Sequence, residues 1–292
     1  MSPVSPKFRV PGARRVPGAC RVPGARRVPG ACRVPGARRV AGAVVTAALL
    51  VPLAACGGGD SGESGKDGGG KEVRLTVLAA SSLTDVFATA KKEYEKDHPG
   101  TRLTISAAGS QELAAQVRQG APADVLVTAD TTTMDGLKGE TGTPTVIAKN
   151  RLVIATREGN PDRIKGLKDL ADSGLKVVLA DDTVPVGRYS KQILDRQHVT
   201  VKPVSKEANV RSVLSKVELG EADAGLVYRT DAATAPDKVD AVDIPDAQNA
   251  VASYPAATLK GSGNGEAAAA FVKWLSTAEA QKILRDAGFQ KP

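Results

Sequence analysis

Small hydroxyl side chains follow two apolar segments at the points where helix-like patterns begin. Ser81 and Ser82 come directly after the segment that ends at Ala80, and Ser110 comes after Gly109 in the next unit. A serine at such a junction often caps the helix, because its oxygen accepts from a free backbone N–H group. Two such junctions in consecutive units also favour an anion pocket, since helix N-termini present unpaired N–H donors.

Side chains suited to covalent or metal chemistry are sparse after residue 56. The two histidines, His98 and His198, lie in polar turn contexts, and the three cysteines all precede residue 57. No Gly-x-Ser-x-Gly nucleophile motif occurs in the sequence. Asp181 and Asp182 are adjacent, so they point to opposite faces of a strand or lie in a turn, which is a poor geometry for a carboxylate pair. The sequence therefore predicts neither a hydrolase nor a zinc site.

Apolar β-branched runs alternate with helix-period segments after residue 72, and this alternation predicts an α/β fold. In open parallel sheets, ligands lie at the carboxyl ends of the strands, which is where the serines stand. Strands joined by helices predict a parallel sheet. Strands are predicted at 73–79, 103–107, 124–128, 151–156, 176–180, 224–228, 239–244 and 253–260, and helices at 83–97, 110–119, 131–138, 187–196, 210–217, 264–275 and 277–287.

The positive charge of the chain is concentrated in its first 55 residues. They contain ten of the 40 Lys and Arg residues and none of the 32 Asp and Glu residues, so the remainder is close to neutral despite a formal charge of +8. This distribution argues against a nucleic-acid partner. Residues 9–38 repeat Arg-Val-Pro-Gly-Ala followed by Arg or Cys, a pattern too rich in Pro and Gly to bury a core. We interpret residues 1–55 as a leader rather than a domain.

The leader ends in features of an export signal. The apolar run 40–55 follows Arg38-Arg39 and is shorter than the roughly 20 residues that span a bilayer, which indicates a secretory signal. Its end, Leu53-Ala54-Ala55-Cys56, resembles the lipobox of bacterial lipoproteins, and this implies a lipid on the sulfur of Cys56. The Gly-rich residues 56–71 then form a flexible tether. The alternative is an ordinary signal peptide with Cys56 as a chance thiol.

Five segments resemble, in order, motifs of the periplasmic molybdate-binding proteins of ABC transporters, and the resemblance covers 72–289. It implies the type II periplasmic binding-protein fold, an α/β fold whose two lobes are joined by two crossing strands with a ligand cleft between them. With crossings near residues 150–151 and 244–245, lobe one would be 72–150 plus 245–292, and lobe two 151–244. The five segments are Ala-Ala-Ser-Ser-Leu-Thr-Asp (79–85), Ala-Gly-Ser-Gln-Glu-Leu-Ala (108–114), Gly-Ala-Pro-Ala-Asp-Val-Leu-Val-Thr-Ala-Asp (120–130), Val-Pro-Val-Gly-Arg-Tyr (184–189) and Gly-Leu-Val-Tyr (225–228).

The resemblance also implies a set of ligand residues. The hydroxyl groups of Ser82 and Ser110, the backbone N–H groups of Val186 and Val210, and the hydroxyl group of Tyr228 would hold the anion. Val186 stands where the family commonly has alanine, which adds bulk near the pocket. None of these residues is charged, and neutral donors backed by helix dipoles can hold a tetrahedral dianion.

The function implied by the resemblance is transport rather than catalysis. The protein would capture molybdate or tungstate, with molybdenum bound only as its oxyanion and no cofactor, and deliver it to an ABC permease and its ATPase. It would act as a monomer, lipid-anchored at the extracytoplasmic face of the cell membrane. The alternatives are binding of sulfate, phosphate or ferric iron, or a purely structural surface lipoprotein. The four tyrosines are scattered, which disfavours an iron site.

The lipid anchor can be tested at its attachment atom. Because the lipid would be joined through the sulfur of Cys56, Cys56→Ala should abolish the labelling of this protein in cells grown with radioactive fatty acid. Cys32→Ala, which changes a cysteine of the leader, is the matched control and should label like the wild type. Equal labelling of the wild type and Cys56→Ala would contradict the anchor.

Overall fold

The structure, a computed structural model, describes residues 72–292. The predicted leader (1–55), the predicted tether (56–71) and Cys56 lie outside the described residues. Within 72–292, none of the helices combines the length and the apolar character needed to cross a membrane.

Residues 72–292 form nine strands and eight α-helices, which confirms the α/β class. Most elements lie where the sequence pattern predicts them. The strands are β1 (Val73–Ala80), β2 (Thr101–Ala108), β3 (Val125–Val127), β4 (Thr145–Arg157), β5 (Val177–Ala180), β6 (Ser205–Glu207), β7 (Ala224–Tyr228), β8 (Val239–Asp243) and β9 (Val251–Thr258). The helices are α1 (Thr84–Asp97), α2 (Ser110–Arg118), α3 (Thr131–Asp135), α4 (Pro185–Arg196), α5 (Val210–Glu218), α6 (Arg229–Ala232), α7 (Gly265–Trp274) and α8 (Ala278–Asp286).

The strands form one hydrogen-bonded array in the order β2-β1-β3-β9-β4-β7-β5-β6, with β8 also paired to β4. The pairs that involve β1 or β5 are parallel, as predicted. The pairs that involve β4 or β9 are antiparallel, so the expectation of a parallel sheet throughout is wrong. The reason is that β9 runs against both of its neighbours, β3 and β4, and that β4 in turn runs against β7 and β8.

Strand β4 lies in the middle of the array and belongs to both of its halves. Its residues 145–151 pair with β9, and its residues 152–157 pair with β7 and β8. We call β1, β2, β3, β9 and the first part of β4 the first half-sheet. The second half-sheet is the remainder of β4 with β5, β6, β7 and β8. The chain passes from the first to the second along β4 and returns through residues 244–250.

Helices α1 and α7 pack against the first half-sheet through an aromatic cluster. The ring of Tyr94 contacts Phe271 edge-on with centroids 4.9 Å apart, and it contacts Trp274 at 5.2 Å. Phe87 completes the cluster at 6.5 Å from Phe271. The buried residues of α1, namely Val86, Phe87, Ala90 and Tyr94, form one apolar face, which anchors the helix that follows the first serine junction.

Asn249 fastens the return connection to β4 where β4 changes its pairing partner. Its side-chain oxygen accepts from the N–H groups of Leu152 (3.2 Å) and Ala250 (2.8 Å). Its side-chain nitrogen donates to the carbonyl groups of Leu152 (2.9 Å) and Ile244 (3.3 Å). Asn249 is buried, so one amide satisfies four backbone groups that water cannot reach freely.

Asn249→Ala should therefore destabilise the protein strongly. Several buried backbone groups would lose their partner, and the free energy of unfolding should fall by about 3 kcal/mol in a urea titration. Gln248→Ala removes the neighbouring amide, which makes no hydrogen bond to another described residue, and should cost less than about 0.5 kcal/mol. Equal effects of the two changes would contradict the role given to Asn249.

Candidate functional site

A small cavity lies between the two half-sheets. Among the described residues that line it, none is charged. All five residues that the sequence predicts as ligands belong to the lining, which therefore brings them together. The lining consists of Ala80, Ser81, Ser82, Gly109, Ser110 and Ala129 from the side of the first half-sheet, and Val184, Pro185, Val186, Val210 and Tyr228 from the side of the second.

The five predicted residues lie where strands end or where the following helices begin, as the sequence predicts. Ser82 lies in the single turn between β1 and α1, and Ser110 is the first residue of α2. Val186 is the second residue of α4, and Val210 is the first residue of α5. Tyr228 ends β7. Three helix N-termini therefore face the cavity, and their dipoles favour negative charge there.

The backbone N–H groups of Val186 and Val210 are available as donors. N–H groups in the first turn of an α-helix have no acceptor within the helix. No other residue in the described part of the chain accepts from either group. Pro185 at the first position of α4 lacks an N–H group, so it makes no competing donor there.

Both serine hydroxyl groups are buried, with Ser82 3% and Ser110 2% exposed. The Ser110 Oγ atom accepts from the N–H group of Ala129 at 3.1 Å. Because that N–H group can only donate, the Ser110 hydroxyl keeps its own hydrogen for another acceptor. The Ser82 Oγ atom lies 2.9 Å from the Oη atom of Tyr254, on β9.

The Tyr228 hydroxyl is buried and, among residues 72–292, has no hydrogen-bond partner. Burial raises the pKa of Tyr228 well above its usual value, so the group stays protonated and can donate. A buried polar group without a partner costs about 1–3 kcal/mol. Its presence at the cavity points to a ligand that accepts a hydrogen bond.

Arg188 links the two half-sheets at one side of the cavity without presenting a free charge. From α4, its Nε atom donates to Oδ2 of Asp130 at 2.8 Å, and its Nη2 atom also pairs with that carboxylate. The Nη2 atom further donates to Oγ1 of Thr133 at 2.6 Å. The guanidinium charge is thereby neutralised within the protein.

A second group of ion pairs, made by Arg211, also joins elements from the two sides of the cavity. Arg211 of α5 pairs through Nη2 with Asp85 of α1 and through Nε with Asp231 of α6, each at 2.7 Å. Asp231, three residues after Tyr228, is fully buried. Burial raises the pKa of Asp231 to about 6, against the opposing effect of Arg211.

Close backbone approach at the rim depends on two glycines. A Cβ atom at Gly109 would lie 2.6 Å from the carbonyl oxygen of Ala208. That same carbonyl accepts from Nε2 of Gln111 at 2.8 Å, so α2 contacts the segment between β6 and α5 there. A Cβ atom at Gly187 would overlap the carbonyl oxygen of Asp181, so this glycine lets α4 begin close to the end of β5.

Two residues that matter to the cavity are not among the five predicted ligand residues. Ser81 lines it beside Ser82 and belongs to the predicted serine junction, but it is not among the five predicted ligand residues. Tyr254 does not line it but contacts Ser82 from behind across a separation of 172 positions. No local pattern marks Tyr254, because its role depends on the antiparallel pairing of β9 with β3 and β4.

Comparisons with known proteins agree on the class of protein. The family described as bacterial extracellular solute-binding protein matches residues 75–290. The molybdate-binding protein ModA of Mycobacterium tuberculosis (strain H37Rv) is 38% identical over 254 residues, which cover 85% of this chain and 97% of that protein. ModA of Haemophilus influenzae is 33% identical and covers 74% and 89%. The periplasmic molybdate-binding protein structure from Azotobacter vinelandii is 22% identical, has a TM-score of 0.66 and covers 75% and 99%, which shows the shared fold.

The buried Asp231 should make stability depend on pH. Its pKa is about 6 in the folded protein against 3.8 for the unperturbed group, so the folded protein binds more protons between these values. The stability contributed by this group is therefore greatest below pH 3.8 and is lost as the pH rises to about 6. Relative to Asp231→Asn, the wild type should lose free energy of unfolding across this range in urea titrations.

Asp240→Asn, which changes an exposed carboxylate, is the matched control and should keep the wild-type profile. Parallel pH profiles for the wild type and Asp231→Asn would contradict the raised pKa of Asp231.

Proposed function

The chain belongs to the bacterial extracellular solute-binding proteins, and we propose that it captures molybdate or tungstate and delivers it to an ABC permease. Its relatives are solute-binding proteins rather than enzymes. The observation that carries the proposal is the group of neutral donors around one cavity, among them the buried, unpartnered hydroxyl of Tyr228. The similarity to proteins named for molybdate supports this choice of anion.

The five donors would act on different oxygens of one tetrahedral anion. The hydroxyl groups of Ser82 and Ser110 would donate from one side, and the Tyr228 hydroxyl with the N–H groups of Val186 and Val210 from the other. The charge of the dianion is balanced by the dipoles of α2, α4 and α5 instead of by a cation. Molybdenum would be bound only through its oxygens, and no cofactor is needed.

Donors on both sides would couple binding to closure. We take the half-sheets as the cores of two lobes, with limits 72–150 plus 245–292 and 151–244. Only a closed cleft lets one anion reach all five donors, so the ligand would shift the population toward the closed form. A membrane permease with its ATPase could then recognise the loaded protein by its shape. One chain supplies the complete site, which is consistent with a monomer.

The N-terminal sequence supports the proposed location. Export through the predicted signal and a lipid on Cys56 would hold the domain at the extracytoplasmic face of the membrane. The Gly-rich residues 56–71 would give it reach to the permease.

Sulfate is the alternative ligand, since it is also a tetrahedral dianion. The larger size of molybdate and tungstate favours them over sulfate. A smaller anion cannot contact every donor at once, and each buried donor left unpaired costs about 1–3 kcal/mol. The bulk of Val186, where the resemblance implies a common alanine, acts against this size argument, because a narrower cavity would suit the smaller anion.

Calorimetric titration of the purified protein with molybdate, tungstate, sulfate and phosphate tests the proposal. Ser82→Ala and Ser110→Ala each remove one hydrogen bond to a charged acceptor, worth about 1.5–3 kcal/mol, so each should weaken molybdate binding roughly tenfold or more. Without ligand, the free energy of unfolding should fall by about 1–3 kcal/mol in each variant, because the buried hydroxyl of Tyr254 or the N–H group of Ala129 loses its partner.

Ser106→Ala is the matched control, because Ser106 is an exposed serine of β2 outside the cavity lining. It should bind molybdate like the wild type. Stronger binding of sulfate than of molybdate by the wild type would favour the alternative, and unchanged binding by both cavity variants would remove the assigned site.

A further inference from the structure

We propose that Tyr254 is a positioning residue that makes the Ser82 hydroxyl a hydrogen-bond donor toward the anion, an inference that rests on the proposed function. Tyr254 is fully buried, and it does not belong to the cavity lining. Its Oη atom lies 2.9 Å from Oγ of Ser82, which does line the cavity. The question is which of the two hydroxyl groups donates.

The direction of the hydrogen bond between Ser82 and Tyr254 is set by Asn150 on β4, which contacts Tyr254. The Oδ1 atom of Asn150 accepts from the N–H group of Arg151 at 2.9 Å, and a backbone N–H group can only donate. The amide nitrogen must therefore point the other way. It donates to Oγ1 of Thr230 at 2.8 Å and makes a long contact of 3.5 Å with Oη of Tyr254. Asn150 is 1% exposed, so water does not compete freely for these groups.

Tyr254 consequently has one acceptor within reach for its hydrogen. The amide nitrogen of Asn150 is a donor, so among residues 72–292 only Oγ of Ser82 can accept from Tyr254. If Ser82 donated instead, the hydroxyl hydrogen of Tyr254 would be buried without a partner, which is unfavourable. Burial also raises the pKa of Tyr254 well above its usual value, which keeps this hydrogen in place.

The Ser82 oxygen therefore accepts from the hydroxyl group of Tyr254, and the Ser82 hydroxyl hydrogen remains available to a ligand in the cavity. Ser110 is in the same situation, because its oxygen accepts from the N–H group of Ala129 at 3.1 Å. Each serine is thus preset as a donor before any ligand arrives. Such preorganisation favours a ligand that only accepts hydrogen bonds, and it reduces the ordering cost of binding.

A double-mutant cycle tests whether Tyr254 acts through Ser82. Tyr254→Phe removes the hydroxyl that holds Ser82, and molybdate binding should weaken about fivefold. In a Ser82→Ala background the same change should have no further effect, because the group that Tyr254 positions is gone. Tyr94→Phe removes the hydroxyl of another buried tyrosine, in the aromatic cluster beside α1, and should bind molybdate like the wild type.

Two results of the cycle would overturn the inference. One is wild-type affinity in Tyr254→Phe, and the other is equal weakening by Tyr254→Phe with and without Ser82. Neutron diffraction of the ligand-free protein gives an independent test. A deuterium atom of Tyr254 pointing at Ser82 supports the inference, and a deuterium atom of Ser82 pointing at Tyr254 overturns it. If the wild type binds none of the four oxyanions, the proposed function fails, and the neutron result alone decides the direction.

Discussion

The constraint on which the site depends is that buried hydrogen-bond donors need acceptors. The fold leaves several donors unpaired at one place, because parallel strands end together and the helices that follow begin there. The Tyr228 hydroxyl and the N–H groups of Val186 and Val210 have no partner in the described part of the chain. The nearby Arg188 and Arg211 are each paired with carboxylates, so neither offers a free positive charge to an anion in the cavity. An oxyanion bound as proposed would satisfy all these donors at once.

The strands that join the half-sheets contribute to the site as well as to the fold. Asn150 lies on β4 next to the point where β4 changes partners, and Tyr254 lies on β9, which pairs with it. Asn249 holds the return connection to the same point. The orientation of the Ser82 hydroxyl therefore depends on residues of the crossing, and movement of the half-sheets about this crossing would act directly on the proposed ligand contacts.

The sequence predicts what depends on local pattern. Helical spacing of apolar residues predicts α1 and α5, and hydroxyl residues at strand ends predict the position of Ser82 and Ser110. Local pattern cannot predict the antiparallel placement of β4 and β9, because strand order is decided by contacts between distant segments. For the same reason it does not reveal Tyr254 or the pairing of Arg188 with Asp130. Val186 and Val210 contribute only backbone groups, so a resemblance to a family was needed to single them out.

The most direct test of the account is a crystal structure of the protein grown with molybdate, with the metal located by its anomalous scattering. The account predicts one molybdenum peak in the cavity between the half-sheets. The oxygens of the anion should lie roughly 2.7–3.2 Å from the hydroxyl oxygens of Ser82, Ser110 and Tyr228 and from the backbone nitrogens of Val186 and Val210. An empty cavity at saturating molybdate, or an anion held by other groups, would contradict it.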